Sequence, residues 1–176
     1  MRYVYIIGAI VVGLVVLIAI IGALLPRDHV ATVTATIPAS ADDVWTAITN
    51  VEAFPSWRTD VQRVQVAPQQ TSPKSWREYS RHGAVTMAVD VSEPPRRLVV
   101  RIADKDLPFG GAWEYELGRD GADVGKTRLT ITERGYVSNP IFRFVSRFVM
   151  GHYGSLEAYT KSLGRKFGAD VTPTRV

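Results

Sequence analysis

Residues 85–102 read VTMAVDVSEPPRRLVVRI, two runs of alternating character on either side of a double proline. In the first run Val85, Met87, Val89 and Val91 alternate with Thr86, Ala88 and Asp90. In the second, Leu98, Val100 and Ile102 alternate with Arg97, Val99 and Arg101. A period of two puts every other side chain on one face of an extended strand. Pro94-Pro95 lacks amide hydrogens and cannot continue a ladder, so it marks a turn. The segment is therefore a hairpin with an apolar face, and a lone hairpin cannot cover that face by itself.

The same pattern recurs on both sides. Val64 and Val66 alternate with Arg63 and Gln65 within residues 61–66, and residues 76–81 form another strand before a turn at His82-Gly83. Residues 68–73 between them read as a loop. Further on, Trp113, Tyr115 and Leu117 alternate with Ala112, Glu114 and Glu116. Beyond a turn at Asp120-Gly121, Leu129 and Ile131 alternate with Arg128 and Thr130. Six consecutive strands with short turns imply an antiparallel meander. Residues 29–37, HVATVTATI, add an earlier strand with His29, Ala31, Val33, Ala35 and Ile37 on one face. Ser40, three before Asp43, opens a short helix over 41–50 in the manner of a capping box. Val51, Phe54 and Trp57 around Pro55 suggest a second helical turn.

The period changes after Asn139, which can cap a helix whose first position suits Pro140. Ile141, Val145, Phe148, Val149, His152, Leu156, Tyr159, Leu163 and Phe167 then follow helical spacing and predict one long amphipathic helix. Gly151 and Gly154 weaken its middle by roughly 1 kcal/mol each relative to alanine. Gly168 can end it, leaving 169–176 as a loose tail.

At the other end of the chain, residues 3–25 (YVYIIGAIVVGLVVLIAIIGALL) carry no charge. Roughly 20 helical residues cross a hydrocarbon core, and Tyr3 and Tyr5 suit the headgroup level. The apolar part of a cleaved signal peptide is shorter, about 7–15 residues. The run therefore predicts a single transmembrane helix within 1–27, followed by one domain over 28–168. The flanking charges nearly tie: Arg2 and the start amine on one side, Arg27 with Asp28 on the other. The arginine on the short N-terminal edge tips the reading towards a domain outside the cytoplasm.

The formal net charge is +4, of which Arg2 supplies one, leaving +3 for the rest. That suits mild attraction to an anionic lipid surface and is too weak to argue nucleic-acid binding. With no cysteine, disulfide and thiolate chemistry are excluded. His29, His82 and His152 are far apart in the chain, so no metal site is expected, and no phosphate-binding or nucleophile-elbow motif occurs. No cofactor is expected.

Several segments carry a resemblance: TATIPASADDVWTAITNVEAFPSW (34–57), WREY (76–79), VSEPPRRLVVRI (91–102), LPFGGAWEYEL (107–117) and LTITERGYVSNP (129–140), in that order before the closing helix. Together they resemble the START-like or SRPBCC superfamily, in its polyketide cyclase/dehydrase and lipid-transport branch. The resemblance implies an α+β helix-grip (Bet v 1-like) fold, a curved antiparallel sheet around a long C-terminal helix. It also implies a cavity between them for a hydrophobic small molecule or lipid. With that cavity in view, the apolar faces nominate Trp57, Met87, Val89, Val100, Ile102, Phe109, Trp113, Tyr115, Ile131, Phe148, Val149 and His152 as its lining.

Three residues are candidates for acid–base chemistry: Glu78, Glu133 and His152. Glu78 shares the register of Trp76, and Glu133 that of Leu129 and Ile131. Either carboxylate can face inward with a raised pKa, or sit at a strand end paired with Arg77, Arg81, Arg101 or Arg134. Residues 107–111 read as a loop with Phe109 at the cavity entrance, either a movable gate or a tight turn. The leading expectation is membrane-anchored binding or transport of an apolar molecule without catalysis. A cyclase or dehydratase working in the same cavity and a protein-interaction module are the alternatives. The oligomeric state stays open.

Overall fold

The structure, a computed structural model, describes residues 1–66, 75–121 and 123–176. The loop expected over 68–73 lies outside the described residues. Helix α1 (Arg2–Leu24) is apolar on every side, and it is long and apolar enough to cross a membrane. Of its residues only Gly22 is buried.

Three residues join α1 to strand β1 (Asp28–Ile37). Helix α2 (Ala41–Thr49) follows, capped as its sequence suggests. The Ser40 hydroxyl accepts the Asp43 amide at 3.2 Å and donates to the Asp43 carboxylate at 2.6 Å. A 3-10 turn (Val51–Ser56) then buries Phe54. The meander comprises β2 (Arg63–Val66), β3 (Ser75–Ser80), β4 (Gly83–Glu93), β5 (Arg97–Ile102), β6 (Phe109–Asp120) and β7 (Asp123–Val137). All pairings are antiparallel, and β1 closes against β7.

The β4–β5 hairpin keeps the expected register at first: Met87 faces Ile102 and Val89 faces Val100. A bulge at Asp90 then shifts it, so that Val91 faces Val99. An extra residue on one strand bends it and increases its twist, which helps the sheet curve. The Arg101 guanidinium holds the bulge by donating to the Asp90 carboxylate at 2.7 Å.

Two segments differ from expectation. Residues 109–111 are not a loop but the start of β6, paired with residues 135–137. A side chain at Gly110 would collide with the Tyr136 ring, and Gly111 has φ +143° hard against the Arg134 carbonyl. These glycines serve close backbone approach rather than movement. The C-terminal segment is not loose either. Strand β8 (Thr174–Arg175) pairs with Val33 and Thr34 of β1, and the Arg175 Nε donates to Glu157 at 2.6 Å.

The predicted long helix is in fact two. Helix α3 (Pro140–Val145) runs into a π turn (Ser146–Met150), and α4 (Gly154–Lys166) starts afresh. The Gly151 amide closes the π turn on the Ser146 carbonyl at 2.9 Å. Gly151 itself has φ +71° and ψ 158°, a backbone conformation open to little besides glycine. Only α4 is gripped by the sheet: Leu156, Tyr159 and Leu163 are buried in one core with Val33, Ile37, Leu129 and Ile131.

Helix α3 instead packs on α1. Asn139 Oδ1 caps it by accepting the Ile141 and Phe142 amides at 2.9 and 3.2 Å. The Pro140 carbonyl fills the space that Gly22 leaves by lacking a side chain. Arg143 Nη1 donates to the Leu25 carbonyl at 2.9 Å. The last carbonyls of any helix lack partners and attract a cation, so Arg143 caps α1 from another part of the chain. Gly22→Leu must push the two helices apart. Overpacking of this kind costs about 1–3 kcal/mol, so the thermal midpoint of the full chain in detergent is expected to fall. An unchanged midpoint would mean that this seat is not maintained in solution.

Candidate ligand cavity between sheet and helix

The curvature of the sheet leaves a cavity of about 300 Å³ between its concave face and the start of α4. The meander supplies most of the wall. Trp76 and Glu78 come from β3, Val85 and Met87 from β4, and Leu98, Val100 and Ile102 from β5. Phe109 to Trp113 and Tyr115 of β6 and Glu133 of β7 follow. Ile48, Phe54, Arg58, Asp60 and Ser155 complete it. The alternation in the sequence accounts for this lining, because the inward residues of successive strands meet across the concave face.

Of the residues nominated from sequence, Met87, Val100, Ile102, Phe109, Trp113 and Tyr115 line the cavity, as do both carboxylates, Glu78 and Glu133. The other six do not. Ile131 is fully buried in the core beside Tyr115, its cross-strand partner. Val89 packs against that core at the bulge. Trp57 stands behind the wall, edge-on to Phe54 and Tyr159 at 5.5 and 5.4 Å. Phe148 and Val149 are 60% and 73% exposed, because the break at Gly151 turns the π segment away from the sheet. His152 lies on the α1 side, stacked on His29 with ring centroids 4.0 Å apart.

Two polar groups interrupt the apolar wall. The first centres on Arg58, a loop residue that no periodic pattern singles out. Its guanidinium reaches Asp60 at 2.6 Å and Glu78 at 3.2 Å, and lies over the Phe54 and Tyr159 rings. Burial works against its charge, but the Asp60 hydrogen bond and the Glu78 and Asp60 carboxylates outweigh burial and raise its pKa further. Glu78 also accepts the Trp76 indole N–H at 2.8 Å. Glu78 thus faces inward and pairs with Arg58, which is none of the arginines the sequence suggested. Burial raises the phenols of Tyr115 and Tyr159. The Tyr159 hydroxyl and the Trp57 indole nitrogen are buried without a partner among the described residues.

The second group centres on Glu133. Burial pushes its pKa up to about 7, against the effect of a hydrogen bond from Trp113, its cross-strand neighbour. His29 Nε2 lies 3.5 Å away, and Gly135 leaves the room that ring occupies. Burial lowers the His29 pKa, partly offset by Asp28. Burial also lowers that of His152, helped by His29 and Arg147. The low-polarity surroundings therefore favour neutral forms at all three residues, and Glu133 changes state near neutral pH. Among the described residues no cluster of three His, Cys, Asp or Glu side chains could hold a metal ion.

The family described as polyketide cyclase/dehydrase and lipid transport matches residues 28–165. The chain belongs to that family. A comparison with curated proteins finds no match. Several solved structures share the family fold. A START superfamily protein from Mycobacterium smegmatis is 17% identical, with 79% of this chain and 97% of that one covered and a TM-score of 0.63. The Zhui aromatase/cyclase from Streptomyces sp. R1128 is 14% identical over 80% and 93%, with a TM-score of 0.64. A truncated norcoclaurine synthase from Thalictrum flavum is 12% identical over 79% and 92%, with a TM-score of 0.63. At these identities the likeness concerns the fold, a helix-grip architecture here preceded by an apolar helix.

Proposed function

We propose that this family member is a membrane-anchored binding module that takes a hydrophobic or amphipathic small molecule into the cavity between the sheet and α4. The observation that carries this reading is a cavity of about 300 Å³ with a mainly apolar wall whose charged groups are confined to Arg58, Asp60, Glu78 and Glu133. Apolar ligand surface buried there gains about 25 cal/mol per Å². The volume is at the lower end for small-molecule pockets, which suits a single acyl chain or a few fused rings rather than a two-chain phospholipid. Arg58, Asp60 and Glu78 in the wall offer partners for a polar end group. Anchoring through α1 holds the cavity among membrane solutes at high effective concentration.

Native mass spectrometry of the full chain, purified in detergent, tests the reading. Wild type is expected to retain an apolar molecule. Ile102→Trp, which fills the cavity from β5, is expected to weaken retention at least tenfold, about 1.4 kcal/mol. Protein that is always empty and binds neither a fluorescent fatty acid nor an aromatic probe would overturn it.

Glu133 favours a second reading, acid–base catalysis in the same cavity, because a general acid or base works best with a pKa near the working pH. Incubating the extracted molecule with fresh protein distinguishes the two. Chemical conversion that disappears in Glu133→Gln marks an enzyme, and recovery unchanged marks a carrier or sensor.

A further inference from the structure

A separate cleft of about 340 Å³ lies where α1 meets the rest of the chain. Leu25 to Val30 form one wall, and Arg143, Ser146, Arg147 and His152 the other. Three arginines, Arg27, Arg143 and Arg147, face a single acid, Asp28. Among the described residues none of the three has a carboxylate within ion-pair distance. Among the described residues Arg143 bonds only to the backbone carbonyls of Ala23, Leu25 and Ser138, and its Nε is buried without a partner there. The cleft is therefore basic, with three arginines against the one carboxylate of Asp28.

Its surroundings identify the counter-ion. The cleft sits at the C-terminal end of α1, where a helix apolar on every side gives way to charged chain. Beside it the π segment presents Phe148, Val149 and Met150, 60%, 73% and 71% exposed, and α3 presents Phe142 at 53%. These large apolar groups are held at that level because α3 is seated on α1 at Gly22 and Arg143 caps the same helix. Apolar side chains next to unpaired arginines at the end of an apolar helix match the interfacial layer of a bilayer, with acyl chains on one side and phosphates on the other.

We infer that residues 141–150 lie in the bilayer surface and that the cleft binds the phosphate headgroup of an anionic membrane lipid. This rests on α1 spanning a bilayer and is independent of what the inner cavity holds. The phosphate takes the place beside Arg27 and Arg147, with Arg143 behind them, while Phe148, Val149 and Met150 enter the acyl layer. The inner end of the cleft is His29, whose ring also contacts Glu133 in the cavity wall, so the headgroup site backs directly onto the ligand cavity.

The full chain in lipid nanodiscs of equal phosphatidylglycerol and phosphatidylcholine provides the test. Native mass spectrometry of the released protein should show phosphatidylglycerol retained over phosphatidylcholine. Each basic group near an anionic surface is worth roughly fivefold, so Arg27→Gln/Arg147→Gln should lose at least tenfold of that preference. Because the chain has no cysteine, a spin label at Val149→Cys reports on one place. It should be accessible to oxygen and shielded from a water-soluble nickel chelate, whereas a label at Arg119→Cys, near the far end of β6, should show the reverse. Equal retention of the two lipids, or a label at 149 as wet as that at 119, overturns the proposal. So does tight binding of inorganic phosphate by detergent-solubilised protein that then excludes the lipid. Failure of the full chain to enter nanodiscs overturns the spanning reading, and the lipid site with it.

Discussion

Arg58→Met is expected to destabilise the fold by about 3–5 kcal/mol, the usual cost of removing one partner from a buried ion pair. The Arg58 and Glu78 side chains are only 10% and 14% exposed, and their contact at 3.2 Å lies in the cavity wall. Methionine replaces the apolar stem of Arg58 and keeps much of its packing on Phe54 and Tyr159, so the loss falls mainly on Glu78. That carboxylate would keep the Trp76 indole as a donor and lose its counter-ion. Asp60 also holds the guanidinium, by two hydrogen bonds, but it is 55% exposed and remains hydrated once Arg58 is gone. Denaturant unfolding of Arg58→Met/Glu78→Gln is the decisive comparison. The double variant should recover most of the loss, since it removes the stranded charge as well. If it is no more stable than the single variant, Arg58 matters through packing and not through Glu78.

The second large effect concerns Glu133. Its pKa in the fold is raised from 4.5 to about 7. A raised carboxyl pKa means that the folded chain keeps a proton that the unfolded chain has released. Below pH 4.5 both states are protonated and the group costs nothing. Between 4.5 and 7 only the folded state binds the proton, so stability falls as the pH rises. Above 7 both are ionised and the full penalty stands. At about 1.4 kcal/mol for each pKa unit, it reaches about 3–4 kcal/mol. Glu133→Gln can still accept the Trp113 hydrogen bond and never ionises. It should match wild type near pH 4.5 and exceed it by about 3–4 kcal/mol at pH 8, measured as the shift in denaturant midpoint. Parallel curves for the two proteins would show that Glu133 is solvated in the fold.

The sheet was open to reading from sequence because a half-buried strand writes its faces as alternation, and the inward positions of Glu78 and Glu133 follow from that same register. Arg58 was not, since it lies in a loop where no period applies and its role depends on a strand twenty residues further on. Nor was the pairing of His29 with His152, which rests on the packing of the chain after the break beside β1. The broken helix is the instructive miss. Ile141, Phe148 and Val149 continue the apolar stripe of the gripped helix in sequence, yet they are exposed. An exposed apolar side chain looks the same in a sequence as one facing a core, and only Gly151 and Gly154 hinted at the change of surroundings. The expected loop over 107–111 failed for a related reason: paired glycines suggest movement, but here they let Tyr136 and the Arg134 carbonyl come close.

The link between α1 and β1 is Leu25, Pro26 and Arg27 alone. At about 3.5 Å per extended residue this leash spans roughly 10 Å, and the Arg143 cap shortens its play. With α1 in a bilayer, as proposed, a body moored so tightly could not ferry cargo across a gap to an opposing membrane, as a freely diffusing carrier or one on a long tether can. On the proposed reading it is a fixed berth, exchanging molecules with its own leaflet or handing them to a visitor that comes to it.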